Sequence, residues 1–353
     1  MNNGKNEIVN FAQGNIFNSL RDEIINSSLS EDEKEQRLSA LNKVSGQNIN
    51  LMLVGATGSG KSSTINALFD MRVARVGVGV DPETKDIQKY DLVNLTIWDT
   101  PGLGDTVDKD KKHLKQIVQK LSETDGQGNM VIDLVMVVLD ASSKDLKVSF
   151  DLINNTLIPI LGKDKDKRIL IAINQSDMAM KGRHWNHEQN APDVVLEDFL
   201  NKKSDSVKNR ILDATGVTIE PICYCAGYSD ENTVRQNPYN LTKLLYYILL
   251  AVPLEKRLLL ANNLNMNEKH WAFNDEKMDY YEAVKGEFFE SLLSNIGVFA
   301  EKGAVIGGYA IGIPGIIIGG LAGAIVGGLH SLIIMPLSKL KVSQLFQILK
   351  LWK

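Results

Sequence analysis

Asn48-Ile-Asn-Leu-Met-Leu-Val-Gly55-Ala-Thr-Gly-Ser-Gly60-Lys61-Ser62-Ser63 decides how the rest of the chain reads. A short apolar run enters a glycine-rich turn with the pattern G-x-x-x-x-G-K-S/T. Helix formers then follow through Ala67, Leu68 and Phe69. Strand, turn and helix in that order are the context in which this pattern holds a nucleoside triphosphate. The backbone N–H groups of Gly55, Ala56, Thr57, Gly58, Ser59 and Gly60 are expected to curl round phosphate oxygens, with glycines where a side chain would block the approach. The helix that opens at Lys61, Ser62 and Ser63 points its partly positive N-terminus at the same anion. Lys61 is expected to reach the β- and γ-phosphates, and the Ser62 hydroxyl to hold Mg²⁺.

Outward from this stretch the pattern alternates strand and helix, as a doubly wound α/β domain requires. Strands are expected at 48–54, 87–93, 94–99, 131–140, 168–174 and 219–225, and helices at 62–69, 108–122, 145–161, 192–213 and 239–251. Only a tight hairpin can join the second and third strands, so a mostly parallel sheet with one antiparallel edge strand is predicted. Val131–Leu139 and Arg168–Ile173 are nearly unbroken apolar runs, as expected of strands buried on both faces.

The ends of these strands carry the rest of the chemistry. Trp98-Asp99-Thr100-Pro101-Gly102 closes the third strand. Asp99 is placed to contact Mg²⁺ through water, and the Gly102 N–H to sense the γ-phosphate. Asp81-Pro-Glu-Thr84 lies between the first helix and this strand, and Thr84 is the sole threonine between Thr64 and Thr96. Its hydroxyl is the natural ligand to complete the Mg²⁺ sphere, so Lys61, Thr84 and Gly102 form the expected catalytic set. Release of the γ-phosphate would free both loops, an order–disorder switch. Asn174-Gln-Ser-Asp177 ends another buried strand. A carboxylate at Asp177 can accept from N1–H and the 2-amino group of guanine, whereas adenine lacks both donors and is rejected. Asn174 is expected to brace that loop. Gln175 stands where a lysine stem usually covers the base, which points to reduced affinity. Cys225-Ala226-Gly227 ends the last strand, where a backbone N–H can reach guanine O6.

On these residues the chain resembles the Era/septin-like branch of the translation-factor-related GTPases, and within it the YfjP-like prophage GTPases. The resemblance rests on Gly55 to Phe69, Asp99 to Asp105, Asn174 to Asp177 and Cys225 to Gly227, and covers about residues 48–252. It implies GTP and GDP as ligands, Mg²⁺ as cofactor and slow hydrolysis of GTP. Leu103 follows Gly102 where Ras-type enzymes carry the glutamine that orients attacking water, and leucine cannot polarise water. Relatives of this branch often compensate by dimerising across the nucleotide face or by using K⁺. The K⁺-dependent members usually carry asparagine at the fourth P-loop position, here Gly58, so activation by self-association is the favoured expectation.

Composition sets the outer bounds. The chain has 353 residues, 44% apolar and 23% charged, with a formal net charge of −4, so no global basic field recommends DNA as a partner. Its two cysteines, Cys223 and Cys225, can form neither a disulfide framework nor a zinc site alone, which suits a reducing cytoplasm. The N-terminus has no apolar core of a signal peptide. His184-Trp-Asn-His187 lacks an evident third metal ligand and reads as a lid or a surface loop. Asp105 and Asp108 read as surface charges.

Three segments are expected: a helical 1–46, the nucleotide domain 47–252, and a helical C-terminal region 253–353. In the first, Ile8, Phe11, Ile16, Phe17 and Leu20 recur at near-helical spacing, and Ser30 offers an N-cap to a second helix. In the last, residues 254–300 read as one or two amphipathic helices. From Gly303 to Ser338 there is no Asp, Glu, Lys or Arg, and Gly315, Gly319, Gly323 and Gly327 recur every fourth residue. Such a glycine zipper lets helices approach closely in a membrane, whereas in water each glycine costs a helix about 1 kcal/mol against alanine. Residues 315–335 are long enough to span a bilayer, as a kinked span or a re-entrant hairpin, with a soluble packed hairpin as the other reading. The tail adds Lys339, Lys341, Lys350 and Lys353 among Leu345, Phe346, Leu349 and Trp352, a composition suited to anionic lipid. The expectation is a cytoplasmic switch at the inner face of the membrane. The alternative is a soluble, ribosome-associated assembly GTPase, although no basic RNA-binding module is evident.

Overall fold

The computed structural model describes residues 16–27, 29–69, 86–230 and 233–296, with side chains omitted at 229, 230 and 233–235. Thr84, the 303–338 segment and the lysine-bearing tail lie outside the described residues.

Buried apolar runs build the central sheet. β1 (Ile49–Gly55), β4 (Leu134–Asp140) and β5 (Ile169–Asn174) are covered on both faces. β3 (Leu95–Asp99) lies parallel to β1, and β2 (Gln88–Leu92) pairs with it antiparallel as the edge. With the short β8 (Ile222–Cys223), the order is β2-β3-β1-β4-β5-β8. The mostly parallel α/β sheet with an antiparallel edge is therefore as the sequence predicts. β1 lies between β3 and β4, so the chain reverses its winding there and opens a crevice at the strand ends. β4 starts three residues later than expected because Asp133 turns aside to accept from the Asn50 N–H at 2.8 Å and to pair with Lys256 at 2.6 Å. β8 is cut short at Pro221, which has no N–H for the ladder.

Helices cover both faces, and the alternation along each strand divides the core. On one face Ile49, Leu51 and Leu53 pack with α1 (Ile16–Asn26), α2 (Glu31–Ser45), α3 (Lys61–Phe69), α7 (Leu241–Ala251), the 3₁₀ segment Leu254–Asn263 and α8 (Tyr280–Ile296). On the other, Met52 and Val54 pack with α4 (Val107–Leu121), α5 (Lys147–Leu152) and α6 (Val194–Thr215). After α5 the chain passes through a π-helical turn at Ile153–Leu157 into Ile158–Leu161, where Pro159 cannot supply the next ladder donor. Ser30 opens α2 as expected, its N–H donating to Glu33 at 2.9 Å. Past Pro253 the sequence suggested one or two amphipathic helices over 254–300; among the described residues Tyr280–Ile296 is α-helical and Leu254–Asn263 is 3₁₀. Trp271 is fully buried, its indole N–H donating to the Asn265 carbonyl at 2.7 Å. Two small antiparallel pairs, Trp185–Asn186 with Ala191–Pro192 and Tyr228–Asp230 with Thr233–Gln236, were not anticipated.

Among the described residues no helix is long and apolar enough to cross a membrane.

Candidate nucleotide site

The site forms where β1, β3, β5 and β8 end. Residues 56–60 leave β1 and turn into α3. Gly60 has φ +88°, and a Cβ there would meet Asn174 Nδ2 at 2.2 Å, so only glycine fits this corner. Lys61 folds back over the loop, donating to the Ala56 carbonyl at 3.1 Å and the Gly55 carbonyl at 3.3 Å. Lys61 is 7% exposed, and burial pushes its pKa down to about 8 despite the opposing pull of Asp99 and Asp105. A buried cation resting on carbonyl oxygens is poised to gain from an arriving phosphate.

Ser62 Oγ donates to Asp99 Oδ2 at 2.7 Å, while Asp99 Oδ1 is buried with no hydrogen-bond partner among the described residues. Burial raises the Asp99 pKa, only partly opposed by Ser62 and Lys61. A hydroxyl and an unsatisfied carboxylate side by side are the oxygen donors that Mg²⁺ prefers, so these residues fit the ion. When bound, it would neutralise phosphate charge there. Among the described residues no cluster of three or more His, Cys, Asp or Glu forms another metal site. His184 instead pairs with Asp193 at 2.8 Å, and Trp185 is buried edge-on against Tyr239.

The loop after β3 is zipped to the phosphate loop. Leu103 N–H donates to the Gly55 carbonyl at 3.2 Å, and its carbonyl accepts from Thr57 N–H at 2.9 Å. Gly102 passes so close beneath Thr57 that a Cβ would meet the Thr57 Cα at 2.4 Å. The Leu103 side chain packs into the core with Met52, Val54 and Ile117. It offers nothing to a water molecule.

On the base side, Asn174 ties three elements together. Its Nδ2 donates to the Ser59 carbonyl at 3.0 Å, and its Oδ1 accepts from Ala226 N–H at 2.9 Å. Asp177 lies beside Cys225, whose thiol hydrogen-bonds its carboxylate and is held well above its usual pKa, chiefly by burial. The structure thus brings together Gly55 to Ser63, Asp99, Gly102, Asn174, Asp177, Cys225 and Ala226.

Sequence reasoning missed four contributors. Gln175, expected only to weaken base stacking, donates to the Gly58 carbonyl at 2.7 Å from a left-handed backbone position, φ +60°. Fully buried Tyr224 meets Thr64 Oγ1 at 2.6 Å, and Thr64 in turn donates to the Gly60 carbonyl at 2.7 Å. Asp105, read as a surface charge, accepts from Thr57 Oγ1 at 3.0 Å. A threonine in the first turn of α3 was the one visible signal. The others depend on contacts that no local pattern announces.

Residues 50–175 match the family model described as 50S ribosome-binding GTPase. The match begins in β1 and ends at Gln175, just over a third of the chain. The chain carries a GTPase-type domain of P-loop fold. Interferon-gamma-inducible GTPase 10 of Mus musculus is 35% identical over 100 residues, covering 27% of this chain and 21% of that protein. Septin-8 of Xenopus tropicalis is 31% identical over 105 residues, covering 28% of this chain and 21% of that protein. This chain therefore spans about a fifth of the length of those curated relatives. A dimerization-deficient mutant of Toc33 from Arabidopsis thaliana aligns in structure with a TM-score of 0.42 at 19% identity, over 64% of this chain and 93% of that one.

Proposed function

We propose that this protein binds GTP with Mg²⁺ and hydrolyses it slowly, as a nucleotide-dependent switch. The observation that carries this reading is Asn174, which holds the phosphate loop at Ser59 and the base-side loop at Ala226 with one amide. That brace sets a base reader and a phosphate cradle at a fixed separation, as a nucleotide requires and a bare phosphate site does not. Lys61 holds the β- and γ-phosphates, Ser62 and Asp99 hold the metal with Thr84, Gly102 senses the γ-phosphate, and Asp177 reads guanine. Buried Leu103 supports a slow intrinsic rate.

Two further parts belong to the proposal. Self-association across the nucleotide face accelerates turnover, so specific activity should rise with protein concentration. The 253–353 region, with its glycine zipper, carries the output to the inner face of the cytoplasmic membrane, and 1–46 packs on the nucleotide domain as a helical flank. The family description favours one alternative, a ribosomal platform.

Equilibrium binding of labelled nucleotides tests the core of the reading. Lys61→Ala should weaken GTP binding at least about 100-fold, by removing a buried charge from the phosphates. Asp177→Asn should lose GTP and gain xanthosine triphosphate, because an amide can donate to the 2-oxo group that xanthine carries in place of the amine. Equal affinity for ATP and GTP in the parent chain would sink the assignment.

A further inference from the structure

The turn Gly102–Asp105 separates two side chains that a linear reading treats alike. Leu103 is pinned through both backbone groups to Gly55 and Thr57, and its side chain is sunk in the core. The chain then turns at Gly104, φ +102°, whose N–H donates to both oxygens of the Asp110 carboxylate at 2.9 and 3.0 Å. That tether returns the next residue to the nucleotide side. Asp105 lies over the phosphate loop, its Oδ1 on the Thr57 hydroxyl and its Oδ2 3.8 Å from Lys109 Nζ. Its side chain is 19% exposed, and with Asp99 it is one of two carboxylates whose charge bears on Lys61. Asp99 is occupied by Ser62 on the metal side. Asp105 is held from the phosphate loop by Thr57, its hydrogen-bonded side-chain partner among the described residues, which is itself exposed.

We propose that Asp105, held by Thr57 and aimed by the Gly104–Asp110 tether, is the catalytic residue that orients and deprotonates the attacking water. This inference rests on the GTP-hydrolysis reading above. A carboxylate facing a triphosphate is repelled unless a donor lies between them, and a water molecule supplies two. In the step, the water oxygen forms a bond to the γ-phosphorus as the bond from that phosphorus to the bridging oxygen breaks. GDP leaves with the electron pair, the proton passes to the Asp105 carboxylate, and from there it reaches the released phosphate. Thr57 limits the carboxylate to one orientation. The chain thereby carries on Asp105 the task that Leu103 cannot perform.

The test uses the full chain, with Asp105→Asn and, as a control, Asp108→Asn on the neighbouring exposed turn. Single-turnover hydrolysis of GTP and equilibrium binding of a non-hydrolysable GTP analogue are measured for each. General-base catalysis contributes about 10²–10⁴-fold, so Asp105→Asn should slow hydrolysis at least about 100-fold with analogue affinity changed less than about threefold. Asp108→Asn should match the parent chain. Hydrolysis at the parental rate in Asp105→Asn overturns the inference, and so does loss of analogue binding, which would make the residue structural. A parent chain that binds the analogue and never cleaves GTP removes the hydrolysis reading itself, and this inference with it.

Discussion

At the scale of single residues, the site is governed by what burial does to charge. Lys61 is buried against carbonyl oxygens, and its pKa falls to about 8 from the ordinary lysine value of 10.5. An unfolded chain therefore binds more protons than the folded one between about pH 8 and 10.5, and stability without nucleotide should rise with pH across that window. Charging Lys61 in the unfolded chain but not in the folded one is worth at most roughly 3 kcal/mol. Urea unfolding of the nucleotide-free protein at stepped pH should show the rise in the parent chain and lose it in Lys61→Met. Triphosphate binding should also take up close to one proton near pH 9, measurable by titration calorimetry in buffers of different ionisation enthalpy. The residues legible in the sequence, Lys61, Ser62, Asp99 and Asp177, lie in or beside the turns that follow strand ends. Tyr224 and Thr64 were not legible, because 160 positions separate two hydroxyls that meet at 2.6 Å.

At the scale of elements, α3 shows how a short helix is held at both ends. Its N-terminus is the phosphate cradle. Its C-terminal carbonyls are met from far along the chain: Asn265 N–H donates to Leu68 at 2.8 Å, Asn265 Nδ2 to Asn66 at 3.2 Å, and His270 lies 3.2 Å from the Ala67 carbonyl. Helix ends leave such carbonyls unpaired unless something reaches them. Asn265→Ala keeps the backbone bond and removes the amide, so it should cost about 1 kcal/mol with an unchanged denaturant slope. A variant as stable as the parent chain would show that water replaces the amide at no cost. The mostly parallel sheet and its antiparallel edge were legible because apolar runs and two strands too close for a crossover are local signals. The 3₁₀ course of Leu254–Asn263 was not, because contacts to it, such as the Leu258 N–H on Ser291 Oγ at 3.1 Å, come from outside the segment.

At the scale of the whole molecule, the two ends of the described chain share one face of the sheet. α1 and α2 pack with Leu254–Asn263 and α8, and Arg37 donates to the Ile296 carbonyl where α8 ends. Whatever follows residue 296 thus starts from a point fixed to the nucleotide domain. The membrane proposal makes a direct prediction at this scale. The full chain should pellet with vesicles containing anionic lipid and remain in solution with purely zwitterionic ones, since each lysine near such a surface contributes about 1 kcal/mol. Pelleting with ribosomes instead, in the presence of GTP and without vesicles, would favour the alternative platform.

The distant clasp on α3 also sets an order in time. A chain emerging from the ribosome presents its phosphate loop early, yet Asn265, His270 and Trp271 follow about two hundred residues later. Until they arrive, the helix behind the cradle has bare carbonyls and an open flank. The C-terminal end of that helix is therefore clasped only late in synthesis, shortly before the apolar stretch from Gly303 is made.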